Sequence, residues 1–294
     1  MSRICFMKWT GSKYRVLGIL YPLFPDCEEY YEPFLGSGSV LINKPRVHKE
    51  VANDLDRELY ILHRVMADKE RMPELLKRLK ALEETKETFQ NAVDTLEEYR
   101  AYDTLTREEE IEIAQWKYVK VALSFNGMGQ NFGKAQRLGV EGSTGSHKFE
   151  MTCERYQEVE FRNGDGIELM AEVRDNPKAF VFADPPYVHK LRGNAKIYQC
   201  EMGNRDQVKM LESIRDAKCK IMLCGYTDGN GNSLYDKYLF PYGWKRYKLA
   251  ELTQSCQCVQ KGGERKNGKE FIWVNYDLPE CSKYFIAMDS LRSA

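Results

Sequence analysis

Residues 179–187 read AFVFADPPY. An apolar run suited to a buried strand ends abruptly on Asp184, and Pro185, Pro186 and Tyr187 follow. In an open α/β sheet, ligands bind beyond the carboxyl ends of the strands, so Asp184 is expected at such a mouth. These residue types suit a flat ring that carries an exocyclic amine. The Asp184 carboxylate and the Pro185 carbonyl can accept from the –NH2, and Tyr187 offers a stacking face worth ~1–3 kcal/mol per base. Two successive prolines restrict φ and remove competing N–H donors, so the carbonyl is presented rigidly. An aromatic amine is a poor nucleophile, because its lone pair is delocalised into the ring. Two acceptors on its N–H bonds favour a tetrahedral nitrogen and stabilise the positive charge that develops as it attacks a methyl group. Little base strength is needed, because the nitrogen proton becomes acidic once the methyl has arrived. A bare Asp-Pro can also be a turn that merely ends a strand. The second proline, the tyrosine and a glycine turn upstream favour a reaction site.

That upstream turn is EPFLGSGS (32–39), which follows a strand candidate and opens a helix. Gly36 and Gly38 allow a ligand to approach the backbone, and a helix N-terminus offers unpaired N–H groups. The next strand ends in Asn53-Asp54, where an acid would meet the hydroxyls of a ribose. The third glycine of a dinucleotide fingerprint is missing. Glu32 would also repel a pyrophosphate while suiting a cationic, amine-bearing ligand. S-adenosylmethionine has a sulfonium, an amine and a ribose but no phosphate, so electrostatics favours it over NAD.

The elements that must position these residues alternate along the chain. EYYEPF (29–34), VHKEVAND (47–54), VEFRN, AFVFAD (179–184), CKIMLCGY (219–226), WKRYKLAE (244–251) and FIWVNYD (271–277) predict strands. Helices are expected near 205–217 and 233–239. Short apolar strands alternating with helices predict an α/β fold with a mostly parallel sheet and helices on both faces. Residues 56–157 interrupt this alternation with apolar residues at three- and four-residue spacing, including a capping box at Thr106 and Glu109. They then run into the glycine-rich, basic stretch SFNGMGQNFGKAQR. This block is expected to be an inserted, mainly helical domain, with 1–55 and 158–294 forming the main domain.

Bulk composition narrows the class. A length of 294 residues exceeds the usual single domain, and 43% hydrophobic against 30% charged residues suits a soluble protein with a sizeable core. The 44 basic and 44 acidic residues balance, which argues against coating nucleic acid over the whole surface but allows a local patch. No apolar run reaches the ~18 residues of a membrane span, and the N-terminus lacks a signal peptide. Nine scattered cysteines without CxxC pairs suggest reduced thiols in a cytoplasmic protein, with neither a disulfide framework nor a metal site.

Together these segments resemble the Dam-type DNA adenine-N6 methyltransferases. MKWTGSKY (7–14), EPFLGSGSVLIN (32–43), Asn53-Asp54, SFNG (124–127), DPPY and KEFIWVNY (269–276) occur in that family's order through nearly the whole chain. The resemblance implies a Rossmann-like S-adenosylmethionine-dependent catalytic domain and a target-recognition insert. It places Trp9, Lys13, Asp54, Asp165 and Asp184 at the cofactor, with Glu32, Pro33, Phe34, Gly36, Ser37, Gly38 and Ser39 forming the loop around its methionine part. Asp184, Pro185, Pro186 and Tyr187 would act on an adenine flipped out of double-stranded DNA. Phe125, Asn126, Gly127, Gln130, Lys134 and Arg137 are the implied DNA contacts. Gln130 stands where the family usually carries arginine, three residues past the FNG glycine. Arginine typically reads guanine and glutamine reads adenine, which argues against the familiar GATC target.

Two other readings stay open at this stage: an RNA methyltransferase of the guanine-N2 type, and a catalytically inert DNA-binding relative. A monomer without membrane contact is expected, with a cognate restriction endonuclease as a possible partner.

Overall fold

The computed structural model describes residues 3–186, 202–228, 230–253 and 267–282. In chain order the strands are β1 (Glu29–Glu32), β2 (Lys49–Asn53), β3 (Val159–Arg162), β4 (Ala179–Ala183), β5 (Lys220–Tyr226), β6 (Lys245–Thr253) and β7 (Asn267–Val274). The helices are α1 (Leu17–Leu20), α2 (Ser39–Asn43), α3 (Arg57–Ala67), α4 (Arg71–Lys80), α5 (Lys86–Tyr99), α6 (Arg107–Ala122), α7 (Gly142–Tyr156), α8 (Gly166–Val173), α9 (Asn204–Ile214) and α10 (Leu234–Leu239). They divide between two compact units. The first holds residues 1–12, 36–43 and 54–163, and the second holds 13–35, 44–53 and 164–294.

Six strands of the second unit join in the order β2-β1-β4-β5-β7-β6. The pairings β2–β1, β1–β4 and β4–β5 are parallel, whereas β7 runs antiparallel to both β5 and β6. This is the mixed α/β sheet of a Rossmann-like fold. All five residues of β4 are buried, as a central parallel strand covered on both faces requires. Val181, Ile221 and Leu223 pack with Met170 of α8 and Met210, Leu211 and Ile214 of α9. The last strand stops at Val274 rather than at Asp277. The Asn275 side chain takes over from the backbone there, accepting from Ile221 N at 2.8 Å and donating to Cys219 O at 2.8 Å.

The first unit is mainly helical. The expected capping box opens α6, with Thr106 N donating to Glu109 Oε2 at 2.6 Å and Glu109 N donating to Thr106 Oγ1 at 3.3 Å. From α6, the buried Lys117 reaches two buried acids at the start of α3. Its Nζ lies 2.6 Å from Asp56 Oδ2 and 3.1 Å from Glu58 Oε2. Asp56 is at the same time the N-cap of α3, accepting from Leu59 N at 3.0 Å. Among the described residues no helix is long and apolar enough to cross a membrane.

Removing the Lys117 charge strands two carboxylates away from water. Lys117→Met is therefore expected to destabilise the protein by about 3–5 kcal/mol, the usual cost of breaking a buried pair. Urea denaturation followed by circular dichroism measures it.

Candidate active site

Within the second unit, strand order reverses between β1 and β4. The chain proceeds outward from β1 to β2 on one side and from β4 to β5 on the other, which opens a crevice at the carboxyl ends. Asp184 is the first residue beyond β4. Its Oδ2 accepts from the Nζ of Lys13, a buried residue in the short 3-10 turn Lys13–Arg15. The same Nζ lies 3.0 Å from Glu270 Oε1. Glu270 comes from β7, in register with Tyr226 of β5, and is itself buried. Burial opposes the Lys13 charge, but Asp184 and Glu270 outweigh it, so the ammonium stays well above its usual pKa. Cys224 Sγ lies within 4.8 Å of the ligand oxygens of Asp184 and Glu270. Burial, reinforced by the Asp184 charge, pushes the Cys224 thiol well up, so it stays protonated. These three are the group of metal-ligand type among the described residues, and the Lys13 ammonium already provides their counter-charge.

The backbone beyond Asp184 is held from below. Gln207 of α9, fully buried, donates from Nε2 to the Pro186 carbonyl at 2.7 Å and accepts from Tyr235 Oη at 2.8 Å. The amide therefore takes the Pro186 carbonyl rather than that of Pro185, which is itself buried. Tyr187 lies outside the described residues. On β1, the buried Glu32 accepts from Tyr30 Oη at 2.8 Å. Pro33 O accepts from Asn53 Nδ2 at 3.0 Å, and the same amide reaches Gly164 O at 2.9 Å. Phe34 packs so closely on Gly166 that a Cβ there would lie 2.7 Å from its ring. Asp165, half-buried, caps α8 by accepting from Ile167 N at 2.8 Å.

In the first unit the glycine turn is built for close approach. Gly36 and Gly38 have φ of +52° and +65°, values that L side chains rarely adopt. A Cβ on Gly36 would stand 3.0 Å from the indole nitrogen of Trp9. Gly36 N donates to Asp54 Oδ2 at 2.9 Å, and Asp56 N donates to Asp54 Oδ1 at 3.0 Å. Burial, then the neighbouring Asp56 charge, pushes the Asp54 carboxyl up to about 6. Ser12 Oγ bridges Ser37 Oγ and Ser39 Oγ at 3.2 and 3.0 Å.

Behind that turn sits a relay through His63 of α3 and Tyr156 of α7. The Gly36 carbonyl only accepts, so His63 Nε2, at 2.8 Å, carries the proton. Nδ1 is then the acceptor for Tyr156 Oη at 2.9 Å. A side chain at Gly38 would overlap the Tyr156 hydroxyl. Burial lowers the His63 pKa to about 4, so the ring is neutral through the physiological range.

The SFNG segment follows α6 as a tight turn. Asn126 has φ of +56° and Gly127 +71°. Thr10 Oγ1 donates to the Asn126 carbonyl at 2.8 Å, and a Cβ on Gly127 would stand 3.0 Å from Lys8 O. Phe125 is exposed despite its apolar ring. Gln130, Lys134 and Arg137 are exposed as well, with Arg137 Nε 3.1 Å from Glu84 Oε2. Sequence reading missed Glu270, Gln207, His63 and Tyr156. Glu270 stands inside the quoted KEFIWVNY segment, whereas the other three are unremarkable polar residues on helices and gain their roles only by packing.

The model of the D12 class N6 adenine-specific DNA methyltransferase family matches residues 9–249. The type II methyltransferase M1.LlaDCHI of Lactococcus lactis subsp. cremoris is 26% identical over 290 residues, covering 92% of this chain and 95% of its own. Among solved structures, the rRNA methyltransferase AviRa of Streptomyces viridochromogenes aligns at 12% identity with a TM-score of 0.37, over 91% of this chain and 86% of its own.

The depressed His63 pKa implies a signed pH effect. Its contribution to stability is complete above about 6.5 and is lost as pH falls toward about 4, because the unfolded chain gains the proton first. Relative to His63→Gln, the wild type is expected to lose about 2 kcal/mol between pH 7 and pH 5. Urea unfolding of both proteins at the two pH values measures it.

Proposed function

The chain belongs to the D12 class N6 adenine-specific DNA methyltransferase family, and we propose that it moves the methyl group of S-adenosylmethionine to N6 of an adenine flipped out of duplex DNA. The observation that carries the assignment is Asp184, an acceptor at the sheet's switch point with one oxygen already held by Lys13. In this reading the other Asp184 oxygen and the Pro185 carbonyl accept from the N6 amine. Gln207 holds the Pro186 carbonyl, one peptide beyond that of Pro185. Adenine must leave the stack because its amine is unreachable within a duplex.

The glycine turn fits the cofactor. A Cβ at Gly36 or Gly38 would fill the cradle, and among the described residues the turn's hydrogen-bond partners Asp54, His63 and Ser12 include no lysine or arginine. We assign Asp54 to the ribose hydroxyls, Trp9 and Gly36–Ser39 to the loop around the cofactor, and Asp165 to its adenine. When bound, S-adenosylmethionine supplies an electrophilic sulfonium methyl. Lys13 is assigned to orienting Asp184, since its ammonium lies on Asp184 and Glu270. Residues 56–157 are assigned to target recognition, with Phe125, Asn126, Gly127, Gln130, Lys134 and Arg137 toward DNA. The name of the Lactococcus relative, a type II methyltransferase, supports pairing with a cognate endonuclease.

The test is methyl transfer from labelled S-adenosylmethionine to duplex DNA or to ribosomal RNA, with nucleosides identified by mass spectrometry. N6-methyladenine in DNA is expected, and product in RNA alone would overturn the proposal. Asp184→Ala should lower turnover by at least ~10²-fold, as loss of one preorganised acceptor does, while DNA binding persists.

Asp54 makes cofactor binding pH-dependent. Ribose hydroxyls donate, so protonation of the carboxyl through about 6 removes their anionic acceptor. Calorimetric affinity for the cofactor is expected to fall as pH drops from 7.5 to 5.5, and to be weaker and flat for Asp54→Asn. The contribution of Asp54 to the unliganded fold has the opposite sign. Its raised pKa favours the fold as pH falls through about 6, so weaker binding there is not a symptom of Asp54-driven unfolding.

A further inference from the structure

Lys13 presents a problem of charge. An ammonium bound to Asp184 alone would form a neutral pair, and such a pair has little field left for the positive charge that grows on an attacking amine. The structure places a second buried carboxylate, Glu270, 3.0 Å from the same nitrogen. Among the described residues, Asp184, Glu270 and Lys13 together carry one net negative charge. Cys224 adds none, because its thiol stays protonated. Glu32, on the neighbouring strand β1, accepts from Tyr30 Oη. Lys13 and Glu270 are both buried, so water screens this cluster weakly and its net charge is felt at close range.

We propose that Glu270 is a positioning residue for methyl transfer: it shares the Lys13 ammonium, so that Lys13 orients Asp184 without neutralising it. The antiparallel strand β7 delivers Glu270 to this place, opposite Tyr226 of β5. The proposal rests on the adenine-N6 reading above. In the step it serves, the N6 lone pair forms the new bond to the methyl carbon while the carbon–sulfur bond breaks. That bond's electron pair remains on sulfur, and the surplus N6 proton then leaves to water. Positive charge passes from sulfur to nitrogen, beside Asp184. The net negative cluster stabilises it there, and loss of the Glu270 charge weakens that stabilisation.

The experiment is a charge cycle measured in single turnover with duplex DNA at saturating cofactor. Glu270→Gln is expected to slow methyl transfer ~10–100-fold, comparable to losing one preorganised electrostatic group. Glu270→Asp should retain more of the rate. The double variant Lys13→Met with Glu270→Gln removes one charge of each sign and restores the net negative count. It should be several-fold faster than Glu270→Gln alone. Calorimetric affinity for S-adenosylmethionine and DNA affinity should stay within about threefold of wild type in the two Glu270 single variants, since only the chemical step is addressed. Should Glu270→Gln fail to fold by circular dichroism, Glu270→Ala is read in its place: it removes the same charge and is expected to be slower than both Glu270→Asp and the double variant, and a rate equal to wild type overturns the assignment. A double variant no faster than the single one, or a Glu270→Gln rate equal to wild type, overturns the assignment. Wild-type protein that makes no N6-methyladenine overturns instead the functional reading on which it rests.

Discussion

The sheet's active end depends on one buried ion cluster, Asp184–Lys13–Glu270. Three strands and the N-terminal segment meet through it: Asp184 follows β4, Glu270 belongs to β7, Cys224 beside them belongs to β5, and Lys13 precedes β1. Burying charges is costly unless they are paired and hydrogen-bonded. The chain meets that requirement by placing one cation between two anions, and among the described residues the surplus charge of this trio is negative. Any rearrangement of the β4–β5–β7 register would leave a charge in the interior without its partner, so the cluster also pins the geometry of the sheet's carboxyl end.

The glycine turn of the first unit is governed by a neutral constraint. His63, held uncharged by burial, donates to Gly36 O and accepts from Tyr156 Oη. Asp54 takes the Gly36 N–H from the other side. The Gly36 peptide groups are thus held at both donor and acceptor, and the positive φ at Gly36 and Gly38 is maintained by packing that leaves no room for side chains. A loop held this firmly suits a ligand that must present a small reactive group at a defined place, since positioning is a large part of catalysis.

Zero net charge does not exclude a nucleic-acid substrate, since part of the acidic charge is paired internally. Many acids of the helical unit are engaged internally: Asp56 and Glu58 with Lys117, Glu110 with Arg64 and Arg71, and Glu84 with Arg137. Lys134, by contrast, is exposed beside the SFNG turn. Local charge of this kind, rather than the total, sets the interaction with phosphate.

Sequence alone determined much of the sheet and the two chemical motifs. The apolar run ending in Asp184 and the strand candidate ending in Asp54 read directly as strands with acids at their mouths, and the Gly-Ser turn read as a close-approach loop, because strand burial and positive φ leave local signatures. The segment order also announced the family. The tertiary structure alone decided which residues support those motifs. Glu270 stands 86 residues from Asp184 in the chain, and only the antiparallel return of β7 beside β5 brings it to Lys13. His63, Tyr156 and Gln207 lie on helices whose local pattern says only that one face is buried, and nothing local says which carbonyl or hydroxyl that face will meet. Local propensity acts within a few residues, whereas the charge balance of a buried site is settled by groups that folding alone brings together.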